Sequence, residues 1–398
     1  MPYRLDALNF FLADVRGGLG AFVSVFLLTE ANWTAAEIGA VLTVSGLIGI
    51  SMHVPLGALI DATRAKRGLL VVSVALLAAC AIAIERAPTG FVVLVADIMM
   101  AVLGGVFAPT VAALTLGLVT ANQLASRLAR NAVFDRAGNI FITAVVGLVG
   151  WWMSQHATFY LVPLFAVLAA FAVLSIPSTA IDHERARGFR DGGSSHRAES
   201  WWRLLLHHRM LLVLAGTLAV FHFANASMLP LVGQKMALAH PGFETALLAA
   251  AILIAQAVTI PVAFLVGLKA DAWGRRPLLI AACLALLLRG GIFAGFDSAP
   301  ILLGAQILDG ISTGILDVLI PLMLADLTVG TGRYSTSRGA IGTIQGVGGS
   351  TSNAAAGALV LWAGYAATFT VLAVVAFAAA CLALAMRETR RAGAQGLS

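Results

Sequence analysis

Asp14, Asp97, Asp309 and Asp317 each interrupt a long apolar run, and Arg16, His222 and Asn225 stand in similar surroundings. These residue types bind solutes and protons. An ionisable side chain near the centre of a bilayer costs at least about 2.5 kcal/mol, so it persists where it faces a cavity or a partner. A carboxylate that is dry in one state and wet in another changes its proton affinity, which couples proton binding to conformation. Asp14 or Asp309 is the expected proton carrier, and His222 either titrates or acts as a neutral hydrogen-bonding group. The competing reading is that some of these residues form fixed packing pairs with Arg16, Arg136 or Arg289. Asp14 and Arg16 lie about 200° apart around a helix, so they need partners on different helices. Asn225 closes the stretch Phe221-His222-Phe223-Ala224-Asn225, followed by Pro230, and the combination predicts a polar site at a helix break.

Covalent chemistry finds no support. The chain has no nucleophile with a base, no HExxH, no phosphate-cradling or dinucleotide glycine motif and no metal-spaced His or Cys cluster. Cys80, Cys283 and Cys381 lie singly inside apolar runs and read as packing residues. The sequence therefore predicts a protein that is not an enzyme and holds no cofactor or metal.

The elements that must position these groups are set by hydropathy. Of 398 residues, 60% are apolar and 11% charged, where soluble domains carry about a quarter charged. Several apolar runs reach the roughly 20 residues that cross a bilayer. Reading them gives spans near 5–28, 35–60, 67–84, 88–118, 131–152 and 157–177, then 210–234, 243–268, 276–295, 300–326, 338–362 and 364–386. The basic residues decide the orientation. With the N-terminus in the cytoplasm, only Arg86 and Lys235 of the 25 Lys and Arg residues fall on the far side, and Arg16 and Arg289 fall within spans. Both termini are expected in the cytoplasm of a cell inner membrane. The net charge of +6 is thus orientation, with no nucleic-acid partner. Residues 178–209, with Gly192, Gly193, Ser194 and Ser195, read as a flexible linker ending in an interfacial helix.

The two sets of six spans are related. Gly57 and Asp61 recur as Gly267 and Asp271, Asp97 and Pro109 as Asp309 and Pro321, Phe10 and Asp14 as Phe221 and Asn225, and Arg127 as Arg338. All offsets fall near 210. An even number of spans per half makes these parallel repeats about an axis along the membrane normal, with a cavity expected between them.

Two loops carry a motif. The first holds Gly57, Asp61, Arg64, Lys66 and Arg67, and the second holds Gly267, Asp271, Gly274, Arg275 and Arg276. Glycine permits close helix approach, and an acid beside bases at the membrane surface forms a latch. The pattern resembles the signature loop of the major facilitator superfamily. The second copy matches it in full, and the first has Arg64 where the second glycine is usual. The resemblance implies an all-α membrane protein of twelve transmembrane helices in two six-helix pseudo-symmetric bundles, residues 1–177 and 210–398. It further implies that helices one, four, seven and ten line the cavity. Asp61 and Asp271 would then hold a cytoplasmic gate, each facing a helix start where the dipole favours an anion.

The implied activity is secondary active transport of a small-molecule substrate by alternating access, coupled to protons, by a monomer in the lipid bilayer. A proton-independent facilitator and a multidrug efflux antiporter are the alternatives. Drug exporters of the superfamily carry an arginine motif in the fourth helix and a Gly-Pro motif in the fifth. Here the fourth span offers Asp97 and no arginine, and the fifth has glycines without proline.

Overall fold

A computed structural model of the chain describes residues 2–17, 20–63, 65–119, 121–178, 181–182, 209–328 and 334–389. Among these residues there is no strand. The first predicted span is filled by α1 (Pro2–Gly17) and α2 (Gly20–Thr29). Then come α3 (Ala35–Ala62), α4 (Lys66–Arg86), α5 (Gly90–Leu118), α6 (Ala121–Trp152) and the pair α7 (Gln155–Phe159) and α8 (Leu161–Leu174). The second set runs through α9 (Arg209–Ala226), α10 (Met228–Ala239), α11 (Glu244–Trp273) and α12 (Arg275–Gly295). It continues through α13 (Ala299–Gly304) and α14 (Gln306–Thr328) to α15 (Tyr334–Leu384).

The all-α, twelve-span architecture is borne out. Ten described helices are long and apolar enough to cross a bilayer, and Gly20–Thr29 is a shorter apolar one. The helix α15, at 51 residues, is two spans joined through Gly364, whose φ of 80° is a left-handed value that glycine adopts without steric cost. Hydropathy separates the two spans at the same place.

By contact the chain forms two compact units. One comprises residues 1–32, 44–195 and 241–249, and the other 33–43, 196–240 and 250–398. Within the first, α1 packs on α6 and α8, and α4 on α5 and α8. Within the second, α9 packs on α15, and α12 on α14 and α15, which is the same pattern one repeat later. Close crossings also repeat. A Cβ at Gly138 would collide with the Phe10 carbonyl, and one at Gly348 would lie 2.5 Å from the Ala219 carbonyl oxygen. Trp152 and Trp362, 210 residues apart, are each 88% exposed at helix ends, as expected of aromatic residues at a bilayer interface.

Each unit takes in the first turns of one helix from the other half of the sequence. In the second unit, Gly39 of α3 abuts the Asn353 carbonyl, and Gly357 abuts that of Ala35. The Thr43 hydroxyl donates to the Ser350 carbonyl at 2.6 Å and accepts from the Ala354 N–H at 2.9 Å. In the first unit, Gly147 and Gly150 of α6 abut Ala249 and Thr245, and Trp151 stacks on Phe243 with ring centroids 6.4 Å apart. Small residues let helix backbones approach closely where no hydrophobic force drives association.

Candidate functional site

Three helices of the second unit enclose a cavity of about 230 Å³. From α9 come Phe221, His222 and Asn225; from α14 come Thr313, Leu316, Asp317 and Ile320; from α15 come Arg338 and Gln345. The spacing of Thr313, Asp317 and Ile320 places them on one face of α14. A single turn residue, Ser227, with φ −81° and ψ −13° still in the helical range, separates α9 from α10 just past Asn225 and three residues before Pro230, a slight irregularity where the sequence leads one to expect a break.

Hydrogen bonds fix how the cavity groups present themselves. His222 Nδ1 lies 2.9 Å from the Leu218 carbonyl and so carries the proton, leaving Nε2 to accept from the Gln345 amide at 3.3 Å. That arrangement frees the Gln345 carbonyl as an acceptor. Asn225 Oδ1 accepts from Arg289 Nη1 at 2.8 Å. Arginine has no acceptor, so Asn225 must turn its oxygen to Arg289, and its two N–H donors point elsewhere.

Arg289 itself is 1% exposed. It donates through Nη1 to Asp309 Oδ1 at 2.7 Å and through Nη2 to Gln306 Oε1 at 3.0 Å. The cluster ties α9, α12 and α14 together behind the cavity wall. Its equivalent in the first unit is plainer, because Asp97 accepts a short hydrogen bond from the Ser45 hydroxyl.

The two loops share one device. Arg67 Nη2 donates to the Leu174 carbonyl at 2.8 Å, and Arg276 Nη2 donates to the Leu384 carbonyl at 2.6 Å. The acceptors are 210 residues apart, and each bond satisfies an open carbonyl at a helix end. Lys66, buried, donates to the Ile60 carbonyl at 2.6 Å and the Thr63 carbonyl at 3.1 Å. In the second loop Arg275 bridges Asp271 at 2.6 Å and Asp326 at 3.1 Å. Gly274 has φ +87°, and beside it Glu388 accepts from the backbone N–H groups of Arg275 at 2.9 Å and Arg276 at 3.2 Å.

A family model described as Major Facilitator Superfamily matches residues 6–288. The chain belongs to the major facilitator superfamily. Among relatives, an uncharacterized MFS-type transporter of Mycobacterium tuberculosis, found in strains CDC 1551 and H37Rv, is 41% identical over 387 residues. That match spans 97% of this chain and 93% of the relative. Among solved structures, a point mutant of the nucleoside transporter NupG superposes with TM-score 0.81 at 13% identity, over 97% of this chain and all of that one. Unmutated NupG gives 0.75 at 14%, over 97% and 98%. At such identity the likeness shows the fold.

Against the superfamily expectations, the structure brings His222, Asn225 and Asp317 together. It places Asp309 in a fixed pair with Arg289 behind them, which is the competing packing reading for that residue. Sequence reasoning misses Arg338 and Gln345 as site residues; the repeat of Arg127 at 338 is the available signal. The side chains of Asp14, Arg16 and Asp61, and all of Arg64, lie outside the described residues, as does the linker from 183 to 208.

Asp271, 87% exposed, pairs with Arg275 of its own turn, and Glu388, beyond α15, reaches the first N–H groups of α12. One loop expectation is corrected. Gly57 and Gly267 do not mediate close approach, since a Cβ at either would meet nothing within 4 Å. The close approaches fall on other glycines, among them Gly39, Gly138, Gly150 and Gly357.

Proposed function

We propose that the chain is a proton-coupled secondary transporter that carries a small polar solute by alternating access, with the cavity of His222, Asn225, Thr313, Asp317, Arg338 and Gln345 as part of its solute site. The observation that carries the reading is that polar and charged groups from three membrane-spanning helices converge on one cavity. Such groups are tolerated at that depth where they meet water or cargo. The two repeat halves rock against each other, both termini lie in the cytoplasm, and the membrane is the cell inner membrane; the distribution of Lys and Arg supports this orientation.

Asp317, on the cavity wall, is the proton carrier. Asp309 is less suited, because protonating it would leave Arg289 buried without its counter-ion, and a broken buried pair costs about 3–5 kcal/mol. The test is transport in proteoliposomes loaded with a pH-sensitive dye and challenged with a panel of small polar metabolites. The expected result is a pH change that accompanies solute entry and vanishes in Asp317→Asn while solute exchange persists. Solute entry with no pH change would favour a facilitator, a reading to which the Arg289–Asp309 pair lends support by fixing one acidic candidate in place.

A further inference from the structure

From the asymmetry between Arg127 and Arg338, we infer that the solute carries an anionic group and that Arg338 receives it, an inference that rests on the cavity being the solute site. Arg127 and Arg338 are repeat mates 211 residues apart. Arg127 is buried and fully committed: Nη2 donates to Asp6 at 2.5 Å and Nε donates to Asn131 at 2.9 Å. Both of those partners are missing one repeat later. The position of Asp6 becomes Thr217, whose hydroxyl donates to the Val213 carbonyl of its own helix at 2.8 Å. The position of Asn131 becomes Gly342, which has no side chain.

Arg338 is accordingly exposed, makes no hydrogen bond or ion pair with a described residue, and lines the cavity beside His222 and Asn225. The position kept its charge, and the acid that faces its repeat mate is gone. A guanidinium has donors only, in a fork that matches a carboxylate or a phosphate. Across the cavity the Asn225 amide adds two further donors, because Arg289 occupies its oxygen. With Asp317, which shares the cavity, carrying its proton, these donors from α9 and α15 favour a solute oxygen anion, and the free Gln345 carbonyl and the Thr313 hydroxyl suit a hydrogen-bonding body attached to it.

The test is thermal stabilisation of the purified full-length protein by matched pairs of probes. Monocarboxylates and amino acids are set against their primary amides, and small phosphate monoesters against the parent alcohols. The carboxylate and phosphate arms separate the two sources of negative charge. The expected result is stabilisation by an acidic probe and not by its uncharged partner, weakened at least about tenfold in Arg338→Gln, or ~1.4 kcal/mol, and partly restored in Arg338→Lys. Equal stabilisation by charged and uncharged partners, or by an acidic probe in wild type and Arg338→Gln alike, overturns the inference. No stabilisation by any acidic probe does so too. Asn225→Ala separates the two failures. If it abolishes a response that Arg338→Gln leaves intact, only the anion assignment falls; if neither variant changes the response, the cavity is not the solute site.

Discussion

Arg289 and Asp309 meet at 2.7 Å in the interior of the second unit, with the arginine 1% exposed. The pair joins α12 to α14, and Asn225 and Gln306 accept from the same guanidinium. Removing one member of such a pair strands the other. Arg289→Met should therefore cost about 3–5 kcal/mol, whereas Arg289→Met with Asp309→Asn should recover much of that loss. Thermal unfolding of the two single variants and the double variant closes the cycle, and additive losses would show that the two residues act independently.

The glycines make a sharper contrast. At Gly39 an added side chain runs into the Asn353 carbonyl, whereas at Gly216, inside α9, it meets nothing within 4 Å. Gly39→Val should lose about 1–3 kcal/mol by overpacking. Gly216→Ala should gain up to ~1 kcal/mol, since alanine favours a helix over glycine. Melting temperatures measured side by side decide this, and equal shifts would contradict the packing described.

The loop bonds of Arg67 and Arg276 are equivalent and should respond alike. Each removes one helix-end carbonyl from the unsatisfied set, so Arg67→Met and Arg276→Met should each cost about 0.5–1.5 kcal/mol. A large effect of one and none of the other would mean that the repeat does not extend to these bonds.

Arg275 stands between two acids of different burial. Asp271 is 87% exposed and Asp326 18%. Exposed ion pairs contribute under about 1 kcal/mol, so Asp271→Asn should be nearly neutral for stability, while Asp326→Asn should cost more. The comparison is read from unfolding at low and high salt. Screening should erase the effect of Asp271→Asn first.

Much of this molecule is legible in its sequence because the repeat is. The spans and the paired loops follow from apolar run length and from residues recurring near an offset of 210. What escapes has identifiable physical causes. Arg338 reads from charge distribution as a residue that orients the chain in the membrane; its place in the cavity depends on Asp6 and Asn131 having become Thr217 and Gly342. Glu388 lies past the last span, where nothing local marks it as the partner of a helix start more than a hundred residues earlier. The Arg289–Asp309 pair is one of two readings the sequence leaves open, since intramembrane charges announce that they need partners without naming them.

Alternating access is testable without knowing the cargo. In a background lacking Cys80, Cys283 and Cys381, a cysteine is placed at cavity-lining Thr313 or at Leu288, which is 58% exposed on the outer surface of α12. Membrane-impermeant thiol reagents are then applied to oriented vesicles from one side or the other. Thr313→Cys should react from both sides, as the cavity opens to each in turn, and Leu288→Cys, facing lipid, from neither. Reaction of Thr313→Cys from one side only, or from none, would contradict alternating access.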